Sequence, residues 1–285
     1  MSGRQALDEF RASPAERAAL RRDGYVVLPG RVDRAMLESV SAGFRDVFRR
    51  QFAHVGLADA GASTDTFDAA LAALFRADMP RYLAAAKLTQ YLPALHALGA
   101  TTSLLSLLRD LGLASPVIST RPVVHIVAEA LKVPGGYHRT PPHQDWRSVQ
   151  GSLDALVLWL PLSETRPDEA PLEVVPGSHR RGLLATEPDP FGTRVAKNLV
   201  ADADFVPLTA GPGDVVVFSM FTVHRTGLRQ GAGVRWAASF RYNNLDEPGF
   251  VARGYPNPYI YRPRDDLLSP DVPDGAAVAG VFDDA

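Results

Sequence analysis

Between Asp33 and Arg50 apolar side chains return every three or four positions, at Met36, Leu37, Val40, Phe44, Val47 and Phe48. That stripe lets an α-helix bury one side, and Arg45, Arg49 and Arg50 fall on the other. Upstream, Ser13-Pro14-Ala15-Glu16 has the form of a capping box with proline at the first helical position, and Gly24 stands where such a helix would stop. A short strand is predicted over Tyr25–Leu28. Further helices are predicted over roughly 65–77, 80–98 and 101–112, the last apolar at Leu104, Leu105, Leu107, Leu108 and Leu111.

After residue 113 the texture changes to short β-branched runs separated by Gly and Pro. Pro116–Ile118, Val123–Val127, Leu153–Leu160, Val174–Val175, Val215–Phe218 and Val234–Tyr242 alternate or run apolar over strand lengths. With turns such as Pro134-Gly135-Gly136 and Gly211-Pro212-Gly213-Asp214, they predict an antiparallel double sheet of the jelly-roll kind with helices on one outer face. The fold class expected is α+β, mainly β in its core. The chain reads as one domain over 1–285: a helical part (1–112), the sheet core (113–245) and an irregular tail (246–285) rich in Pro, Gly and Asp. No internal repeat is visible.

Composition narrows the chemistry. The 30 basic and 32 acidic side chains leave a formal net charge of −2, so nothing predicts a nucleic-acid or anionic-membrane partner. The start Met-Ser-Gly-Arg-Gln-Ala has no apolar core behind its basic residue, and no run of 18 apolar residues occurs, so a cytoplasmic location is expected. Only Lys87, Lys132 and Lys197 accompany an abundance of arginine, so a single Arg says little here. Cysteine is absent, which excludes thiol catalysis, zinc ribbons and iron–sulfur clusters; any metal must be held by His and carboxylates. Seven histidines are the candidates.

His143-Gln144-Asp145 sets an imidazole and a carboxylate two residues apart, on one side of an extended segment. His224, beyond the strand Val215–Phe218, can complete a two-His-one-carboxylate triad, a set that leaves open positions on iron for a 2-oxo acid and dioxygen. The pair alone is weak evidence, since chance supplies about one His-x-Asp in every two chains of this composition; a loop histidine beside a turn-forming Asp reads equally well. Context adds to it. Val234–Tyr242 has one wholly apolar side and another bearing Arg235, Ala237, Ser239 and Arg241. Such a strand can line a cavity, with the Arg235 fork gripping a carboxylate, or be an edge strand whose two arginines face water.

Four blocks in this order, Thr140–Trp146, Val174–His179, Gly213–Phe218 leading to His224, and Arg235, resemble the phytanoyl-CoA dioxygenase family of iron- and 2-oxoglutarate-dependent oxygenases. The likeness is carried mainly by residues 113–245. It implies a double-stranded β-helix (jelly-roll, cupin-like) core with amino-terminal helices packed on one sheet, and the cofactors Fe(II), 2-oxoglutarate and dioxygen. His143, Asp145 and His224 would be the iron ligands and Arg235 the partner of the distal 2-oxoglutarate carboxylate. Trp159 and Thr226 match positions beside that cosubstrate, although ordinary core packing explains a tryptophan as well. Keeping Asp145 disfavours halogenation, whose enzymes replace this carboxylate, and hydroxylation of a small-molecule metabolite is expected, with desaturation, ring closure and epimerisation open. An acyl-CoA substrate, a non-catalytic metal-binding jelly roll and a cupin-like isomerase are the other readings.

For the remaining histidines, His179 shapes a turn after a strand, and His54 and His96 lie on or beside helices. Arg121 and His125 share one side of a strand near the site and can meet a polar substrate, as can His138 and Arg139 at the pocket rim; a buried, satisfied His125 explains that residue too. The sequence leaves the oligomeric state open.

Overall fold

The computed structural model describes residues 11–57, 63–133, 139–165, 170–190, 192–227 and 233–256. Its amino-terminal part follows the hydrophobic pattern. Helix α1 (Pro14–Asp23) opens on the predicted capping box, Ser13 accepting from the Glu16 amide and Glu16 reaching back to the Ser13 amide. It stops at Gly24, whose φ of 81° only glycine adopts without strain. Strand β1 (Tyr25–Leu28) leads to α2 (Arg34–Phe52), capped by Asp33, and then to α3 (Thr64–Ala77). The predicted helix over 80–98 is two helices, α4 (Met79–Thr89) and α5 (Pro93–Gly99). Pro93 is the cause, because it has no amide to donate to the preceding turn and is tolerated only at the start of a helix. Helix α6 (Thr102–Asp110) completes the layer.

The strands β2 (Pro116–Ile118), β3 (Val123–Val127), β4 (Leu156–Pro161), β9 (Val215–Ser219) and β11 (Arg235–Asn244) join β1 in an antiparallel sheet ordered β1-β9-β4-β11-β2, with β3 also pairing β11. The facing sheet is smaller, with β10 (His224–Thr226), β5 (Leu172–Val174) and β8 (Val206–Pro207) in the order β10-β5-β8. A hairpin of β6 (Thr186–Asp189) and β7 (Gly192–Val195) was not predicted, nor was β10, which is three residues long and centred on an arginine. That arginine, Arg225, points away from the sheet interior yet is only 6% exposed, because Glu173 accepts from its Nε at 2.6 Å, Asp202 pairs with its Nη1 and the Phe205 ring lies 3.8 Å below it.

Strand β4 is buried at every position, which explains its unbroken apolar run. Leu156, Leu158 and Leu160 join Val215, Val217, Phe240 and Tyr242 beneath α1, α2, α5 and α6, while Val157, Trp159, Val216 and Phe218 fill the space between the sheets with Leu172 and Val174. A second cluster of Phe48, Phe52, Phe67 and Tyr82 gathers α2, α3 and α4 around Trp236 of β11. The expected helical layer on one outer face and the α+β jelly roll are both present. The expected irregular tail begins with a short helix, α7 (Pro248–Ala252), capped by Glu247; residues 257–285 lie outside the described residues.

Candidate metal and cosubstrate site

Residues 140–145 run beside β10 as an extra edge. His143 and His224 exchange both backbone hydrogen bonds (3.0 and 3.1 Å), and the Thr226 amide donates to the Thr140 carbonyl at 3.0 Å. Residues opposite each other in an antiparallel pair point to the same side, so both imidazoles enter the space between the sheets, ring centroids 4.1 Å apart. At Asp145 the extended run ends: its φ and ψ of −63° and −31° begin a helical turn over Trp146–Val149. The carboxylate still reaches the imidazoles, with Oδ1 3.4 Å from Nε2 of His143.

The donor set suits a divalent metal. One ligand atom from each of His143, Asp145 and His224 lies within 4.8 Å of the others. Nδ1 of His143 meets the Pro141 carbonyl at 2.8 Å and Nδ1 of His224 meets that of Thr222 at 3.0 Å. Each Nδ1–H donating to a carbonyl fixes the tautomer with a lone pair on Nε2. Burial, reinforced by the neighbouring His143, drops His224 to about 3, so its imidazole is neutral and able to ligate. Burial alone would raise Asp145, but the Arg241 guanidinium and the nearby imidazoles hold its carboxyl well below the usual range. It is therefore anionic at neutral pH, as a metal-binding carboxylate must be.

Arg235 supplies the second half of the site. It projects from β11 into the same cavity, a space of about 370 Å³ open to solvent and shared with Thr226, Trp159, His143 and His224. The residue is 5% exposed, its Nε has no hydrogen-bond partner among the described residues, and the Trp159 ring centroid lies 5.5 Å from Cζ. Burial lowers its affinity for the proton to a pKa of about 10 and leaves it cationic. A buried cation with no carboxylate facing it, among the described residues, is costly unless a ligand brings the charge. The distal carboxylate of a 2-oxo diacid fits this guanidinium in charge and in fork geometry. The edge-strand reading of Arg235 and Arg241 is therefore corrected: β11 lies between β4 and β2/β3, and both guanidinium groups point inward.

The other sequence candidates separate. Trp159 (3% exposed) and Thr226 line the cavity; Thr226 also holds the 140–145 edge by accepting from the Thr140 amide at 3.2 Å. His125 lines it as well, its Nε2 3.0 Å from Ser239 Oγ, and burial together with Arg235 and Arg241 lowers it to about 3, so it is a neutral polar group. Arg121 is exposed and stacks over Tyr91 at 5.9 Å instead of lining the cavity. Arg139 pairs with Glu129 at 3.6 Å, and His138 lies outside the described residues. His179 Nε2 donates to the Arg21 carbonyl at 3.2 Å in the turn after β5, and His54 and His96 are exposed. Sequence reasoning missed Arg241 and Ser239 as site residues: Arg241 Nε donates to Asp145 Oδ2 at 2.9 Å and its Nη1 to Ser239 Oγ at 3.3 Å. The available signal was parity, since residues 235, 239 and 241 share one side of the strand.

With this geometry in hand, comparison with known proteins finds a match to the family described as Phytanoyl-CoA dioxygenase (PhyH) over residues 20–237. A 2-aminoethylphosphonate dioxygenase from uncultured bacterium HF130_AEPn_1 is 28% identical over 140 residues, 48% of this chain and 51% of that protein, so the chain matches about half the length of this relative. In fold the chain is similar to the non-heme alpha ketoglutarate dependent epimerase SnoN from nogalamycin biosynthesis (TM-score 0.52, 19% identity, 91% of this chain and 90% of that one). It is also similar to EctD from S. alaskensis, solved with 2-oxoglutarate and 5-hydroxyectoine (TM-score 0.50, 20% identity, 83% and 77%). Among the described residues no single helix is long and apolar enough to cross a membrane.

Proposed function

Because the chain belongs to the phytanoyl-CoA dioxygenase family, we propose that it is a single-domain, non-haem Fe(II)- and 2-oxoglutarate-dependent dioxygenase that hydroxylates, or otherwise oxidises at a C–H bond, a small-molecule metabolite. The observation that carries this reading is one cavity holding both a converging His143–Asp145–His224 donor set and the buried cation of Arg235, whose Nε has no partner among the described residues. The small-molecule class is supported by similar proteins: an aminoethylphosphonate dioxygenase, EctD bound to 5-hydroxyectoine, and an epimerase from nogalamycin biosynthesis.

In this reading the chain's own work is positioning. His143, Asp145 and His224 would hold iron, which together with a bound 2-oxo acid would supply dioxygen activation. Arg235 orients the cosubstrate by pairing with its distal carboxylate, assisted by the Thr226 hydroxyl, and the Trp159 ring packs against that pair. Val157, Leu172 and Phe218 exclude water from the inner wall, which strengthens every charge interaction there. His125 and Ser239 offer neutral polar contacts to a substrate.

The test is turnover of 2-oxoglutarate to succinate by purified protein with Fe(II) in air, across free amines, zwitterions and phosphonates and, in parallel, acyl-CoA esters. Succinate coupled to an oxidised free metabolite is expected, and its loss in His143→Ala. Turnover confined to acyl-CoA esters would overturn the substrate class. No succinate with any compound, alongside intact metal binding, would favour a non-catalytic metal-binding jelly roll.

A further inference from the structure

A metal-binding carboxylate has two oxygens, and in an open pocket either or both can close on the ion. Two-oxygen chelation consumes a coordination position that a 2-oxo acid and dioxygen require in a two-His-one-carboxylate site. In this protein the two oxygens of Asp145 are already assigned different neighbours. Oδ2 accepts from Arg241 Nε at 2.9 Å, while Oδ1 faces His143 Nε2 at 3.4 Å.

Arg241 is itself held. Its Nη1 donates to Ser239 Oγ at 3.3 Å; Ser239 is 1% exposed, and the same oxygen meets His125 Nε2 at 3.0 Å. Residues 239 and 241 are two apart on β11, hence on one side of it, and the strand is paired on both flanks. The guanidinium is a planar fork held at Nε and Nη1, so its hold on Oδ2 does not rotate away. Arg235, six residues earlier on the same side, is the contrasting case: it meets no carboxylate among the described residues, whereas Arg241 is committed to Asp145 and is closed to substrate anions.

We propose that Arg241 is a positioning residue for the metal site: by occupying Oδ2 it reserves Oδ1 of Asp145 for the ion and keeps the carboxylate from chelating with both oxygens. This rests on the metal-ligand reading of His143, Asp145 and His224. Residues that orient metal ligands in this way commonly contribute about 10–100-fold to metal affinity.

The experiment uses Mn(II) alone as probe on the full chain, with affinity measured by titration of the free-ion EPR signal and bound water counted from oxygen-17 water relaxation. Arg241→Gln and Arg241→Ala should bind Mn(II) on the order of tenfold or more weakly and carry one water fewer than the parent, as the freed Oδ2 takes that position; Arg241→Lys should restore the water count. A purely structural arginine would lower affinity or folding while leaving the water count of bound Mn(II) unchanged in all three variants, and that result overturns the proposal. So does parental affinity in Arg241→Gln and Arg241→Ala. Failure of the parent protein itself to bind Mn(II) would instead sink the metal-site reading beneath it.

Discussion

His143 and His224 lie 81 positions apart in the chain yet exchange both backbone hydrogen bonds of an antiparallel bridge. The two imidazoles are thus fixed by main-chain pairing before any ion arrives. Metal binding to such a site stabilises the fold by mass action, about 2.7 kcal/mol at a metal concentration one hundred times the dissociation constant. Mn(II) added to metal-free protein should raise the thermal midpoint, and the rise should vanish in Asp145→Ala; calorimetric scans with and without metal check this.

Arg235 predicts a trade between stability and ligand binding. It is a buried cation without a carboxylate partner among the described residues, so Arg235→Met should stabilise ligand-free protein, by on the order of 1–3 kcal/mol, while abolishing the protection that 2-oxoglutarate gives the parent. Urea titrations of both proteins with and without 2-oxoglutarate make the comparison. A destabilised Arg235→Met would show that the charge is compensated within the chain.

The pH dependence follows from two histidines. His125 and His224 titrate in the folded protein at about 3, through burial, against an ordinary value of 6.5. Between these values the unfolded chain binds protons that the fold does not, so stability of metal-free protein falls as pH drops below 6.5, with a slope of about 1.4 kcal/mol per pH unit for each imidazole kept neutral. Denaturation midpoints measured from pH 8 to pH 4 should decline accordingly, and His125→Asn should flatten the slope.

On the other side of the sheet, α5 approaches β11 so closely that a Cβ on Gly99 would lie 2.5 Å from the Phe240 ring, and Tyr242 donates its hydroxyl to the Gly99 carbonyl. Gly99→Ala should therefore cost about 1–3 kcal/mol through overpacking, despite the better helix propensity of alanine. The urea midpoint should fall with an unchanged denaturant slope.

How much of this was legible depends on where the information sits. Local signals carried the helices: Ser13 with Glu16, Gly24 and the Met36–Phe48 stripe each state their role within a few residues. The same local pattern over 80–98 concealed the break that Pro93 imposes. Strand β11 was legible because its sides differ so sharply, and β4 because it is buried at every position. Strand β10 was not, since its outward residue is Arg225 and the partners that make burial tolerable, Glu173 and Asp202, lie elsewhere in the chain. The same distinction holds in the site. Parity placed Arg235 and Arg241 on one side of a strand, but their different tasks are set by Asp145, a contact across 96 positions that no local pattern contains.

The proposed site binds iron through His143, Asp145 and His224 and a 2-oxo acid through Arg235 in one cavity, and anaerobic addition of Fe(II) and 2-oxoglutarate to the metal-free protein tests that pairing. A weak visible charge-transfer band should appear that needs both components, disappears in His143→Ala, Asp145→Ala and His224→Ala, and requires far more 2-oxoglutarate in Arg235→Ala. Absence of the band in the parent protein, its persistence in Asp145→Ala, or an unchanged 2-oxoglutarate requirement in Arg235→Ala would contradict this assignment.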